Sequence, residues 1–205
     1  RKQKETNTIF QNIAKEKNSK LIYAEQQTTY SSDLKGKYQK ENINTTVTAV
    51  QLLSENGWGI KQNSIRNGLL NTVKNTGLLG RWQILQEEPL IICDTGHNSD
   101  GLKEITEQIK ETPHNKLHFV FGTLNDKNLG AILGLLPKDA IYYFCKPNIE
   151  RGLDGDKLEQ EAYKFNLKGH AYSSVNKAFN MAKSNAKSED LIFIGGSTFL
   201  VAEVV

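Results

Sequence analysis

Cysteine, methionine and proline are scarce in this chain of 205 residues, which holds two, one and four of them. Cys93 and Cys145 each lie inside an apolar run. Two such residues are too few for a disulfide framework or a zinc cluster and read as buried, reduced thiols of a cytoplasmic protein. With aromatics at 8% and 16 glycines, the chain fits neither a disordered nor a fibrous class. Charge of one sign is also lacking. The 26 Lys and Arg residues against 23 Asp and Glu leave +3, without the concentrated basic face of a nucleic-acid binder. No apolar run approaches the ~18 residues that suggest a membrane span. Neither nucleic acid nor a membrane is therefore expected as a partner. The single methionine is Met181 and the chain opens on Arg1, so a piece of something longer is expected.

Several motifs that carry chemistry are absent too. No G-x-x-x-x-G-K-[ST] phosphate loop occurs, since Gly36-Lys37 has neither the upstream glycine nor the following hydroxyl. There is no G-x-G-x-x-G and no G-x-S-x-G elbow. His97, His114, His118 and His170 lack zinc-protease spacing, and no metal ligand set is expected within the chain.

What is present changes character near residue 77. After it, short apolar runs alternate with helical periodicity. Strands are expected over 82–86, 90–93, 117–121, 141–145, 170–172 and 191–194. Helices are expected over 100–111, 129–136, 156–165, 175–186 and 198–205. This alternation predicts an α/β fold: a doubly wound, mostly parallel sheet with an antiparallel hairpin at its edge. The earlier stretch predicts helices over 8–17, 39–56 and 63–73, and a lone strand over 21–24 with no obvious partner. It reads as the tail of a larger domain whose sheet is missing, with the boundary at Lys74-Asn75-Thr76-Gly77. A helical subdomain packed on the α/β domain is the simpler alternative.

Ligands of such sheets bind outside the carboxyl ends of the strands. The loop Asp94-Thr95-Gly96-His97-Asn98-Ser99 lies there, after a buried strand and before a helix. Asp94 is placed to accept from ribose hydroxyls or to orient water on a metal. Free N–H groups at the helix start favour an anion beside His97 and Asn98, with Ser99 as the natural cap. The side chains of Asp94 and His97 are expected to face a cleft and to contribute little packing. The alternatives are a structural turn, or Asp94 as a buried hydrogen-bond hub. Arg81, in Gly80-Arg81-Trp82-Gln83, is suited to neutralising transferring phosphate charge across a domain junction. Alone it reads more often as a surface cation beside a buried tryptophan. Gln39 and Asn42 have the amide donors and acceptors that read a purine edge, or they simply begin a helix. Gly195-Gly196-Ser197 is a second anion cradle or a common tight turn, and Asp126-Lys127 after Gly122 is a weaker signal.

In their order, these segments resemble the C-terminal half of the folylpolyglutamate synthase/dihydrofolate synthase family, within the Mur ligase superfamily. The matching pattern is Leu34-x-Gly36-x-x-Gln39-x-x-Asn42, Gly80-Arg81-Trp82-Gln83, Asp94-x-x-His97-Asn98, Gly122-x-x-x-Asp126-Lys127 and Gly195-Gly196-Ser197. It covers essentially the whole chain. The family often has His where Tyr38 stands and Pro where Ser99 stands. The resemblance implies the end of a central ATP-binding domain over 1–76 and a Mur ligase-type C-terminal α/β domain over 77–205. It implies an ATP-dependent ligase that activates a folate or dihydropteroate carboxylate as an acyl phosphate, which the amine of glutamate then attacks. Gln39 and Asn42 would lie near adenine and Arg81 at the phosphates. Asp94 and His97 would face ribose or phosphate, Asn98 would shape the loop, and Ser197 with Arg151 would meet glutamate. ATP and magnesium are the implied cofactors. The phosphate loop and metal ligands would lie upstream, on the part of the central domain against which this chain packs. The fragment alone would then be inactive. A methyltransferase fits poorly, because the later glycines are missing and a hairpin comes first. A non-catalytic nucleotide-binding or interaction module is the remaining alternative.

Overall fold

The computed structural model describes residues 3–24, 29–126 and 128–205. They divide into two units, one within Arg1–Asp33 and Tyr38–Gly77, the other Leu34–Lys37 with Leu78–Val205.

The first unit is helical: α1 (Lys4–Glu16), α2 (Gln39–Leu53), α3 (Gln62–Leu70) and α4 (Thr72–Thr76). In α1 an acidic Glu5 in the first turn and a basic Lys15 in the last complement the helix dipole. The helix expected over 63–73 is broken in two at Asn71. Its φ of −126° leaves the helical region, and its side-chain amide donates back to the Asn67 carbonyl. Asp33 then supplies the acceptor that the new helix start needs, taking the Val73 N–H at 2.9 Å. Residues 21–24 form no strand. A four-residue run without a pairing neighbour has nowhere to place its backbone hydrogen bonds. Tyr23 is held instead through its hydroxyl, which donates to Asn7 Oδ1.

The second unit is built on β1 (Gln83–Gln86), β2 (Leu90–Asp94), β3 (Leu117–Phe121), β4 (Ile141–Cys145), β5 (Lys168–Tyr172) and β6 (Leu191–Gly195). Their order in the sheet is β1-β2-β6-β3-β4-β5. Only β1 and β2 pair antiparallel. β3 and β6 are buried at every position, as expected for parallel strands covered on both faces. Trp82 has φ +48°, so β1 starts one residue later than its apolar pattern suggests.

Among the described residues five helices cover the sheet, the first four of them also connecting its strands: α5 (Ser99–Glu111), α6 (Leu129–Leu133), α7 (Gly155–Tyr163), α8 (Val175–Asn185) and α9 (Thr198–Val201). Leu102, Ile105 and Ile109 of α5 and Leu158 of α7 pack on the face carrying Phe119, Tyr142 and Phe193. Val175, Ala178 and Ala182 of α8 pack on the other, with Val120, Tyr143 and Ile194. The chain steps outward from β3 to β5 and then returns to insert β6 between β2 and β3. With a right-handed crossover, that reversal sends α8 to the second face, where Leu200 and Val201 of α9 also pack. A crevice consequently opens at the carboxyl ends of β2, β6 and β3.

A polar relay, buried at His118, Tyr143 and Asp190, lies toward the amino ends of β3 and β6. Donor and acceptor roles balance if Asn185 Nδ2 donates to the Tyr143 hydroxyl (3.2 Å), that hydroxyl to His118 Nδ1 (2.9 Å), and His118 Nε2 to Asp190 (3.4 Å). Asp190 also accepts the N–H groups of Lys116 and Lys187. Burial pushes the Asp190 carboxyl up, but these hydrogen bonds outweigh it and hold the group below its ordinary value.

Candidate functional site

Asp94 ends β2 and lies opposite Gly195 of β6. The expectation that its side chain faces a cleft is corrected by the structure: Asp94 is 2% exposed. Its Oδ2 accepts the Trp82 N–H at 2.7 Å and its Oδ1 the Gly96 N–H at 2.8 Å. Both donors leave the strand ladder here, and a carboxylate satisfies them with strong, charge-assisted bonds. Thr95 N–H donates to the Gly80 carbonyl at 3.0 Å, a third tie between the two segments. Gly80 has φ +69°, and a Cβ there would lie 2.7 Å from Thr95 Cγ2, so only glycine admits this approach. Arg81 is thereby anchored at the carboxyl end of β2, half-buried, with Nη1 donating to the Gly80 carbonyl at 3.3 Å.

His97 is exposed, on the other side of the same hub. Its Nδ1 is 3.0 Å from the Thr95 carbonyl. A carbonyl only accepts, so Nδ1 carries the hydrogen and the neutral ring presents Nε2 as an acceptor. Asn98, not Ser99, is the N-cap of α5, its Oδ1 accepting the Gly101 N–H at 2.8 Å. Ser99 is already the first helical residue. The neighbouring Cys93 is no nucleophile: burial first, and then the charge of Asp94, push its thiol up to about 12.

At the end of β6, Gly196 has φ +101°, and a Cβ would meet the Gly122 carbonyl oxygen at 2.7 Å. This close turn places Ser197 at the start of α9. Ser197 is 2% exposed, and its Oγ accepts the Phe199 N–H at 3.2 Å. A cleft of about 310 Å³ opens beside it, with His97, Leu124, Asp126, Arg151, Ser197 and Phe199 in its wall. Arg151 Nη1 stands 3.5 Å from Asp126 Oδ2, and its guanidinium lies 5.4 Å above the Phe199 ring centre. Both charges of that pair are more than half exposed, so water screens their attraction and Arg151 stays available to an anion.

The structure thus brings together His97, Arg151 and Ser197, which are distant in sequence. It holds Arg81 on the Asp94 hub, with neither residue in the cleft wall. Gln39 and Asn42 lie in the first unit on α2, where Asn42 Nδ2 donates to Gln39 Oε1 at 2.9 Å. Lys127 lies outside the described residues. Phe199 and Leu124 were not singled out from the sequence. The one available signal for Phe199 was its position two residues after the Gly-Gly-Ser turn. Among the described residues no three His, Cys, Asp or Glu side chains converge as metal ligands, and no helix is long and apolar enough to cross a membrane.

Comparison with known proteins bears on this geometry. Residues 80–198, more than half of the chain, match the family described as Mur ligase, glutamate ligase domain. A probable bifunctional folylpolyglutamate synthase/dihydropteroate synthase of Haloferax volcanii is 30% identical over 173 residues, covering 83% of this chain and 20% of that protein. The dihydrofolate synthase/folylpolyglutamate synthase of Escherichia coli is 31% identical over 160 residues, 77% of this chain and 36% of its own. Escherichia coli FolC, solved in complex with DHPP and ADP, matches with a TM-score of 0.81 at 25% identity, over 98% of this chain and 50% of FolC. The chain therefore spans half or less of the length of these relatives.

Proposed function

The chain belongs to the Mur ligase family through its glutamate ligase domain, and from that premise we propose that it is the C-terminal region of an ATP-dependent ligase joining glutamate to a folate or pteroate carboxylate through an acyl phosphate. In this reading residues 1–76 end the central ATP-binding domain and 77–205 form the C-terminal domain, working together in the cytoplasm. Relatives in the family are named as folylpolyglutamate and dihydrofolate synthases. One solved relative carries ADP with DHPP and another AMPPNP, Mn and L-glutamate.

The observation that carries the reading is the Asp94 hub. Two hydrogen bonds from one buried carboxylate tie Gly80-Arg81-Trp82 and the loop of His97 to the same strand end, beside the Arg151 and Ser197 cleft. Arg81 offers positive charge to the phosphates of ATP. His97 offers Nε2 as an acceptor to a ribose hydroxyl, or as a donor to a phosphate oxygen when the ring carries its second proton, and Asn98 holds that loop as a cap. Gln39 and Asn42 offer amides to adenine. Arg151 and Ser197 offer a cation and a hydroxyl to the carboxylates of glutamate. Asp94 acts indirectly, by holding the segments that carry Arg81 and His97. Phosphoryl transfer depends on such positioned charge more than on covalent help. Enclosing the site also protects a hydrolysable acyl phosphate from water.

This donor set is one side of a nucleotide site: cations and amides, without a phosphate loop and without a described metal-ligand trio. The proposal assigns the phosphate loop and the magnesium ligands to the part of the central domain that lies outside this chain.

The test is glutamate-dependent ADP release by the full-length protein with dihydropteroate or folate as acceptor. The 205-residue chain alone should release none. Arg81→Ala in the full-length protein should lower kcat on the order of 10²-fold while leaving the melting temperature in place. A full-length protein that binds ATP yet releases no ADP with either acceptor would be a nucleotide-binding module, and the ligase reading would fall.

A further inference from the structure

Asp126 places a carboxylate in the wall of the cleft that also holds His97, Arg151 and Ser197. All four residues belong to the second unit. The backbone fixes where Asp126 stands. Leu124 and Gly152 form an antiparallel bridge between the loops that follow β3 and β4. The Asn125 N–H donates to the Arg151 carbonyl at 3.0 Å, and the Leu153 N–H to the Thr123 carbonyl at 2.9 Å. This short ladder sets the two side chains that follow it next to each other, with Arg151 Nη1 3.5 Å from Asp126 Oδ2. The cleft therefore presents a cation and an anion side by side, with the Ser197 hydroxyl beside them.

A carboxylate is out of place in a pocket that takes carboxylates alone. Like charges at this range repel, and the repulsion grows as a ligand excludes the water that screens it. That cost is offset when the ligand brings a cation of its own. Asp126 and Arg151 are more than half exposed and meet through one long contact, so little is lost when a ligand parts them. An α-amino acid carries a carboxylate and an ammonium on one carbon, and so matches the adjacent pair with the charges reversed. Ser197 Oγ accepts the Phe199 N–H, which leaves its hydroxyl hydrogen for a second carboxylate. We propose that Asp126 recognises the α-ammonium of glutamate: it accepts hydrogen bonds from the ammonium, while Arg151 donates to the α-carboxylate and Ser197 to the side-chain carboxylate. This role rests on the ligase reading, in which Arg151 and Ser197 meet glutamate. It adds a selection for the amino acid over a dicarboxylate of the same length that lacks the amine.

The experiment uses the full-length protein with ATP and either folate or dihydropteroate as acceptor. Two quantities are measured: KM for glutamate, and the inhibition constant of glutarate, which is glutamate without its amine. Wild type should hold glutarate at least about tenfold more weakly than glutamate, as for the loss of a hydrogen bond to a charged group. Asp126→Asn should raise KM for glutamate about tenfold and leave glutarate unchanged or tighter, so that the gap closes. Asp126→Glu keeps a carboxylate and should keep most of the gap. Arg151→Met should weaken both ligands together, because both carry the carboxylate it holds. Equal losses of glutamate and glutarate in Asp126→Asn would mark a residue that merely shapes the cleft, and overturn the role. A KM for glutamate within about twofold of wild type in that variant overturns it too, with the ligase reading left standing. A wild-type protein without glutamate-dependent ADP release overturns the ligase reading, and this role with it.

Discussion

The two units solve the same problem unequally. In the second, a sheet offers two apolar faces, and five helices each find one to cover. In the first, Val47 and Ile65 are the only buried apolar side chains among the described residues. Helix α1 buries nothing, and Ile9, Phe10 and Ile13 stand 55%, 58% and 49% exposed. Helix α5 carries the same kind of stripe, yet Leu102, Ile105 and Ile109 are each 1% exposed. An amphipathic stripe specifies which face wants burial. It supplies no partner, and a helix without one gains little beyond its propensity.

The largest effect that would break this comparison is independent folding. Expressed separately, residues 78–205 should melt cooperatively, and residues 1–77 should show no cooperative transition by circular dichroism or calorimetry. A sharp, reversible melt for 1–77 would mean that its helices already suffice. Next is a matched pair of isoleucines in the 205-residue chain. Ile105→Ala should cost about 2–5 kcal/mol in urea unfolding, because it empties a packed core. Ile9→Ala should stay within about 0.5 kcal/mol, as for an exposed position. Similar values for both would show that α1 is packed after all.

A smaller contrast lies within one loop. Asp94→Asn sets an amide N–H against a buried main-chain donor, so it should cost about 1.5–3 kcal/mol, the value of a hydrogen bond to a charged group. His97→Ala, on the exposed side, should stay within about 1 kcal/mol. A stable Asp94→Asn would deny the hub. The smallest effect compares the two ends of the sheet by pH. Asp190 has a lowered folded pKa, so its ionised form contributes stability above the unfolded value of 3.8, and that contribution is lost as pH falls through the folded value. Asp190→Asn should therefore be less stable than wild type at neutral pH, with the gap closing below about pH 3.8. A gap that stays constant from pH 7 to pH 3 would mean that the relay does not depend on the carboxylate's charge.

Much of the second unit was legible because its signals are local. The runs at β2, β3, β4 and β6 are short, apolar and bounded, and helices α5 and α8 show clear periodicity. The strand errors share one cause, a partner distant in sequence. The strand expected over 21–24 has none. Lys168 joins β5 because Ile141 of β4 is there to pair with it. Ser99 and Asn98 are chemically similar caps, and Asn98 takes the role, its Oδ1 accepting the Gly101 N–H while Ser99 is already helical. In the site, Arg81, His97, Asn98 and Ser197 are picked out by residue type and loop position, and Arg151 only through the family resemblance. Phe199 is not, because an aromatic in a short apolar run carries no local mark of what it touches.

By itself the sequence determined the class of the fold, since the alternation of apolar runs with amphipathic stretches is a property of neighbours along the chain. It also determined which loops hold polar groups at strand ends. Only the tertiary structure decided that β6 inserts between β2 and β3, which makes the crevice. Only the tertiary structure turned Asp94 inward, because two N–H groups from different segments had no other acceptor. It alone set Arg151 over Phe199 and beside Asp126. The physical reason is the same in each case. Burial preference belongs to a residue and its neighbours in the chain, whereas the partner of a hydrogen bond or a charge is whatever the packed fold brings within about 3 Å.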